Sequence, residues 1–124
     1  MNSIQGNIPE TWTPLTSIEQ LEEAANRSHE KPVVLFKHST RCGISTAAKT
    51  RLESAPLDAD KATFYYLDLL SYRPISNAIA EKFEVAHQSP QVIVLHKGKA
   101  LHHNSHHAIS PQVIEEWIAP LIAE

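Results

Sequence analysis

Val33-Val34-Leu35-Phe36-Lys37-His38-Ser39-Thr40-Arg41-Cys42-Gly43-Ile44-Ser45 is the stretch on which the reading of this chain turns. It opens behind Pro32 with an apolar, β-branched run that has the pattern of a buried strand. A short polar turn follows, then Cys42, then the start of a helical pattern. A thiol at such a junction faces the unpaired N–H groups of the first helical turn and the positive end of the helix dipole. Both favour the thiolate, which is the attacking species. Arg41 either adds a positive charge beside the thiol, which would lower its pKa further, or is a solvated surface residue with little effect. Cys42 is the chain's only cysteine. An unpaired cysteine is commonly a small core residue, but a polar strand-to-helix turn is an unusual place for one, so Cys42 is expected to be a nucleophile. Ser45 stands in the first helical turn, where its O–H can donate to the sulfur. It cannot resolve a disulfide as a second cysteine would, so a disulfide formed on Cys42 must be resolved by an external thiol.

Working outward, residues 1–11 are polar and without periodicity and read as a loose arm, leaving 12–124 as one domain. Trp12-Thr13-Pro14-Leu15 suits a short edge strand, where proline is tolerated. Thr16-Ser17-Ile18-Glu19 fits a capping box for a helix running to about Ser28, with Ile18, Leu21 and Ala25 on one face. After the Cys42 turn, the spacing predicts a helix from about Gly43 to Ser54, with Ile44, Ala47, Ala48 and Leu52 inward. The aromatic, β-prone run from Thr63 to Leu69 reads as a central strand. Ile75, Ile79 and Phe83 recur at helical spacing and predict a helix over about 73–82. Gln91 to His96 reads as a strand, Lys97-Gly98-Lys99 as a hairpin turn and Ala100 to Asn104 as the return strand. Ser110 and Pro111 suit the N-cap and first position of a last helix. Its Val113, Ile114, Trp117, Ile118 and Leu121 make a broad apolar face.

The resulting order is β-α-β-α-β-α-β-β-α. Helix-linked strands at the start imply parallel pairing, and the hairpin near the end implies antiparallel pairing. The expected fold is therefore α/β, a three-layer sandwich about a mixed central sheet, which is the thioredoxin-like arrangement. In that arrangement the loop before the fourth strand places a cis-proline beside the cysteine. Pro90 holds that position, so the Ser89–Pro90 bond is expected to be cis and to turn the Ser89 backbone toward an incoming substrate chain. His87 and Gln88 would lie on the same rim, within reach of substrate.

Bulk properties narrow the function. The chain has 124 residues, 42% of them apolar and 20% charged, with a net charge of −3. Charges of both signs are intermixed, so neither nucleic acid nor an anionic membrane surface is an expected partner. No apolar stretch reaches the roughly 20 residues needed to span a bilayer. Met1 to Glu10 lack the basic start and apolar stretch of a secretion signal. A reducing cytoplasm is the simplest location for a chain with one cysteine. Eight histidines occur, four of them in His102-His103-Asn104-Ser105-His106-His107. Strand alternation sends His102 and His103 to opposite faces, and no second cysteine completes a zinc site, so no metal is expected. His38, four residues before Cys42, either stabilises the thiolate when protonated or ends its strand as a solvated residue.

Three motifs carry a resemblance to a known family. His38-Ser39-Thr40-x-Cys42-x-Ile44-Ser45, His87-x-Ser89-Pro90-Gln91 and Ser105-His106-x-x-Ile109 occur in order, and together they resemble the monothiol bacilliredoxins, general stress proteins of the bacillithiol system. The resemblance spans about residues 12–122. It implies a thioredoxin-like fold and removal of bacillithiol from protein mixed disulfides. Cys42 would attack and Ser45 assist, while Arg41, Gly43, His87, Gln88, Ser89 and Pro90 would contact substrate and His38 and Thr40 support the site. The implied partners are S-thiolated client proteins and a low-molecular-weight thiol as co-substrate, with no resident cofactor. One position departs from the family pattern: Gly43 stands where a proline is usual, and glycine weakens the first helical turn.

Gly43 also opens a second reading. Cys42-Gly43-Ile44-Ser45 is similar to the Cys-Gly-Phe-Ser signature of monothiol glutaredoxins, which implies an iron–sulfur carrier needing added thiols or a dimer to fill the coordination shell. The paired glycines those proteins carry after the cis-proline strand are absent. A third reading is a stress-response interaction module without redox activity.

Overall fold

The computed structural model describes residues 12–39, 46, 49–50, 52 and 61–122. Five strands are seen, β1 (Trp12–Pro14), β2 (Val33–His38), β3 (Thr63–Asp68), β4 (Gln91–His96) and β5 (Lys99–Ser105). Three helices are described in full, α1 (Ile18–Arg27), α2 (Arg73–Phe83) and α3 (Pro111–Ile122). Thr46, Lys49, Thr50 and Leu52 are also helical, as the periodicity after Cys42 predicts. Ile44, Ala47 and Ala48 of that stretch lie outside the described residues, as does the 1–11 arm.

The strands form one sheet in the order β1-β3-β2-β4-β5. β1 and β2 run parallel to β3, while β4 is antiparallel to both β2 and β5. The sheet is therefore mixed, with β2 at its centre and the proline-containing β1 on an edge. Strand alternation divides β2 between two cores. Val34 and Phe36 join Trp12, Phe64, Tyr66, Val92, Val94, Ile114 and Ile118, the cluster on the α3 side, which also takes in Leu52. Val33 and Leu35 join Leu21, Ala24, Leu67, Ile75, Ile79, Phe83, Ile93 and Leu95, the cluster on the α1 and α2 side. This is the expected three-layer sandwich.

Three local expectations shift. The cap of α1 sits one residue later than the Thr16–Glu19 box: Gln20 N–H donates to Ser17 Oγ at 3.1 Å, and Gln20 Oε1 accepts from Thr16 N–H at 2.7 Å. Gln20 reaches back where Glu19 was expected to. Ile18 is 42% exposed rather than inward, and Ala24 takes the buried place. The return strand is longer than Ala100–Asn104, because Lys99 and Ser105 both pair with β4.

The hairpin turn explains that extension. Only Lys97 and Gly98 lie outside the strands, and both have positive φ, 53° and 80°. Two-residue turns of that hand match the twist of the flanking strands. Buried Ser28 ties the turn to the end of α1: its carbonyl accepts from Lys97 N–H and its Oγ from Gly98 N–H, each at 2.8 Å. A Cβ at Gly98 would stand 3.3 Å from His29 Nε2 as well as adopt a left-handed backbone. Gly98→Ala should therefore cost about 1–2 kcal/mol, read as a lowered urea midpoint with unchanged slope. An unaltered midpoint would mean that the turn relaxes without penalty.

Candidate active site

β2 is central because every one of its six residues is buried. Its C-terminal end carries Lys37 and His38, two polar residues on opposite faces, and the chain then continues toward Cys42. Cys42 itself, with Thr40, Arg41, Gly43 and Ser45, lies outside the described residues. What the structure describes is the end of β2 and the elements around it.

The antiparallel register pairs Lys37 with Gln91, which places Pro90 beside His38 at the strand end. The Ser89–Pro90 bond is cis, as expected. Pro90 is buried, Ser89 half-buried, and His87 and Gln88 exposed, so these four residues do share one rim. The third motif packs onto the same place. His106 N–H donates to Pro90 O at 3.2 Å, His106 has a left-handed φ of 55°, and Ile109 is wholly buried in the α3-side core. Two motifs some fifteen residues apart thus meet at one proline, with His38, the first residue of the remaining motif, alongside.

His38 is not solvated. It is 3% exposed, with its ring 5.7 Å from that of Tyr66 and 5.9 Å from that of Phe36. The aromatic neighbours explain the burial, since an imidazole is flat and packs on their faces. Of the histidine-rich strand, His102 stacks on Trp117 at 5.0 Å with planes 8° apart, while His103 is exposed on the other face. The stack gives His102 a packing role on the α3 side.

Sequence reasoning missed Lys37. It stands in an apolar strand at a position whose neighbours Leu35 and Leu67 face the α1/α2 core, and it is wholly buried. Its Nζ lies 3.3 Å from His87 Nδ1, and Ser76 Oγ of α2, also buried, lies 3.4 Å from the same nitrogen. Gln91 completes the arrangement. Its Nε2–H donates to Ala86 O at 3.1 Å, and its Oε1 accepts from Gln88 N–H at 3.4 Å. Three buried polar side chains therefore hold residues 86–88, the segment leading into the cis-proline. The available signal was a lysine breaking an inward-facing strand register, four residues from the apolar start of the strand.

Burial pulls the Lys37 ammonium down from 10.5 to about 8. His87 is also lowered from its ordinary range, first by burial, then by the charges of Lys37 and Arg73.

The match to known proteins follows the same residues. Residues 13–114 match the family described as monothiol bacilliredoxin BrxC. The chain belongs to that family. Among solved structures it is similar to a candidate oxidoreductase with a thioredoxin fold, at 28% identity and a TM-score of 0.71, covering 94% of this chain and 97% of the other. It is also similar to a thioredoxin from Trypanosoma brucei brucei, at 18% identity, a TM-score of 0.70 and coverage of 91% and 92%. Mitochondrial thioredoxin 3 from Saccharomyces cerevisiae, in its oxidized form, matches at 20% identity with a TM-score of 0.62, over 89% and 95%. The bacilliredoxin fold is thus thioredoxin-like, and the family is one of thiol oxidoreductases.

Lys37 makes a prediction about stability. Its folded pKa lies below its unfolded one, so between about pH 8 and 10.5 the unfolded chain binds more protons. Stability from this group therefore rises with pH across that window. Lys37→Met should abolish the rise and be at least as stable as the wild-type chain at neutral pH, because no charge is then buried. Urea midpoints of both chains, taken as a difference, also cancel Tyr65, whose phenol burial pushes upward. A rise of equal size in the variant would contradict the assignment.

Proposed function

We propose that this bacilliredoxin removes a low-molecular-weight thiol of the bacillithiol type from protein mixed disulfides, with Cys42 as nucleophile. The observation that carries the reading is positional. The central strand ends at His38 beside Pro90, Cys42 follows four residues later, and the family match spans both segments.

In the proposed cycle the Cys42 thiolate attacks the sulfur of the capping thiol. The bond between Cys42 and that sulfur forms as the client's S–S bond breaks, and the client leaves as a thiolate that takes a proton from solvent. One disulfide is exchanged for another, so no electrons are gained or lost by the pair. Ser45, in the proposal, hydrogen-bonds the attacking sulfur, and Arg41 supports its negative charge. The Ser89 backbone, with Gln88 and His87 beside it, lines the path of the client chain. Gly43 and Thr40 belong to the same turn, and His38 backs it. A second thiol, supplied by a small molecule or a partner, then releases the adduct, because the chain has no other cysteine. Such a cycle requires no resident cofactor. Its partners are S-thiolated proteins, and a reducing cytoplasm would supply the second thiol. No described helix is long and apolar enough to cross a membrane.

The test is intact mass spectrometry of the reduced protein mixed with a bacillithiolated client and, separately, a glutathionylated one. The adduct mass should move onto the wild-type chain and free the client, and the Cys42→Ser chain should receive nothing. If neither adduct leaves its client, Cys42 is not a competent nucleophile for these disulfides. Equal transfer to the serine variant would place the nucleophile elsewhere.

A further inference from the structure

We propose that Lys37 is a positioning residue that acts through His87: with Ser76 it holds the ring as the neutral Nε2–H tautomer, so that the cis-proline rim presents an N–H donor to an acceptor oxygen of the disulfide substrate. The inference rests on the thiol-exchange reading above and assigns the rim its hydrogen-bonding polarity.

The chemistry of the donors sets the tautomer. An ammonium has three donors and no acceptor, so the nitrogen that meets it must offer a lone pair. Nδ1 is the nitrogen facing Lys37 Nζ at 3.3 Å, and the Ser76 hydroxyl approaches it at 3.4 Å. With Nδ1 bare, a neutral ring carries its proton on Nε2. His87 is exposed although its Nδ1 is engaged inward, which leaves Nε2 as the outward nitrogen. Among the described residues, the charges acting on the ring are Lys37 from β2 and Arg73 from α2, both positive. Both oppose an imidazolium, so the ring stays a neutral donor. Gln91 on β4 is wholly buried and fixes the backbone on either side of His87 through Ala86 O and Gln88 N–H. The ring and its supporting loop are thus oriented from three elements. A fully buried lysine next to a sheet-end histidine is costly to desolvate, and the tautomer gives that cost a function.

The dependence is also directional in pH. As Lys37 loses its proton near pH 8 its amine can accept from an Nδ1–H, and the bias toward Nε2–H is released.

The test uses nitrogen-15 NMR of the His87 side chain with exchange kinetics on a thiol-capped client. Wild-type protein should show the Nε2–H tautomer and a His87 pKa below the ordinary value of about 6.5. Lys37→Met should raise that pKa, because one of the two opposing charges is gone while burial and Arg73 remain, and mix the tautomers. Its KM should rise by roughly three- to ten-fold, the range one net hydrogen bond supplies, with kcat nearly unchanged. Adding Lys37→Met to His87→Ala should change nothing more, since the lysine then has no ring to orient. An unmoved His87 tautomer and pKa in Lys37→Met would overturn the proposal, as would a further loss in the double variant. If the wild-type chain moves no adduct at all, the exchange reading fails on its own, and the NMR result still decides the tautomer.

Discussion

Burial of β2 on both faces is the constraint from which the rest of the structure follows. A strand covered by helices on each side must be apolar along both alternating rows, and Val33 to Phe36 satisfy this by giving one row to each core. The same burial fixes register. A one-residue slip against β3 or β4 would exchange the two rows and carry Lys37 to the face occupied by Phe36 and Tyr66. Register in turn sets the strand's end beside Pro90, so packing energy far from the turn decides where the Cys42 segment begins.

The polar residues at that end are held by a different economy. Buried donors and acceptors cost roughly 1–3 kcal/mol each when left unmade, so Lys37, Ser76 and Gln91 are tolerated because residues 86–88 partner them. The loop is consequently ordered by groups it does not itself contain. From the other side, His106 N–H bonds Pro90 O and Ile109 anchors the following turn in the α3-side core. Fold and site are coupled here: the rim a substrate would meet is the outer surface of hydrogen bonds that close the sheet's end.

Much of this was legible in the sequence because it rests on periodicity. The continuous apolar runs of β2 and β4, the four-residue spacing of Ile75, Ile79 and Phe83, and the Lys97-Gly98 turn each announce their element, and element order then implies the topology. The position of Pro90 was legible only through that topology, since nothing local to a Ser-Pro pair specifies its isomer. Other features depended on contacts that sequence spacing does not encode. Gln20 rather than Glu19 closes the α1 cap because an amide can reach Pro14 O as well as Thr16 N–H. His38 is buried because Tyr66 of a neighbouring strand lies beside it. Lys37 reads as an ordinary charged residue until β4 and α2 are in place, and only then does its partner, fifty residues away, come within reach.

The central proposal is that Cys42 is a thiolate poised for exchange. Titration of the thiolate's ultraviolet absorbance tests it most directly, with the Cys42→Ser chain subtracted to remove tyrosine ionisation. The account predicts a midpoint below the free-cysteine value of about 8.5, lowered by the helix N-terminus and Arg41. A midpoint at or above that value would contradict it, because the chain would then hold its only cysteine as an unactivated thiol.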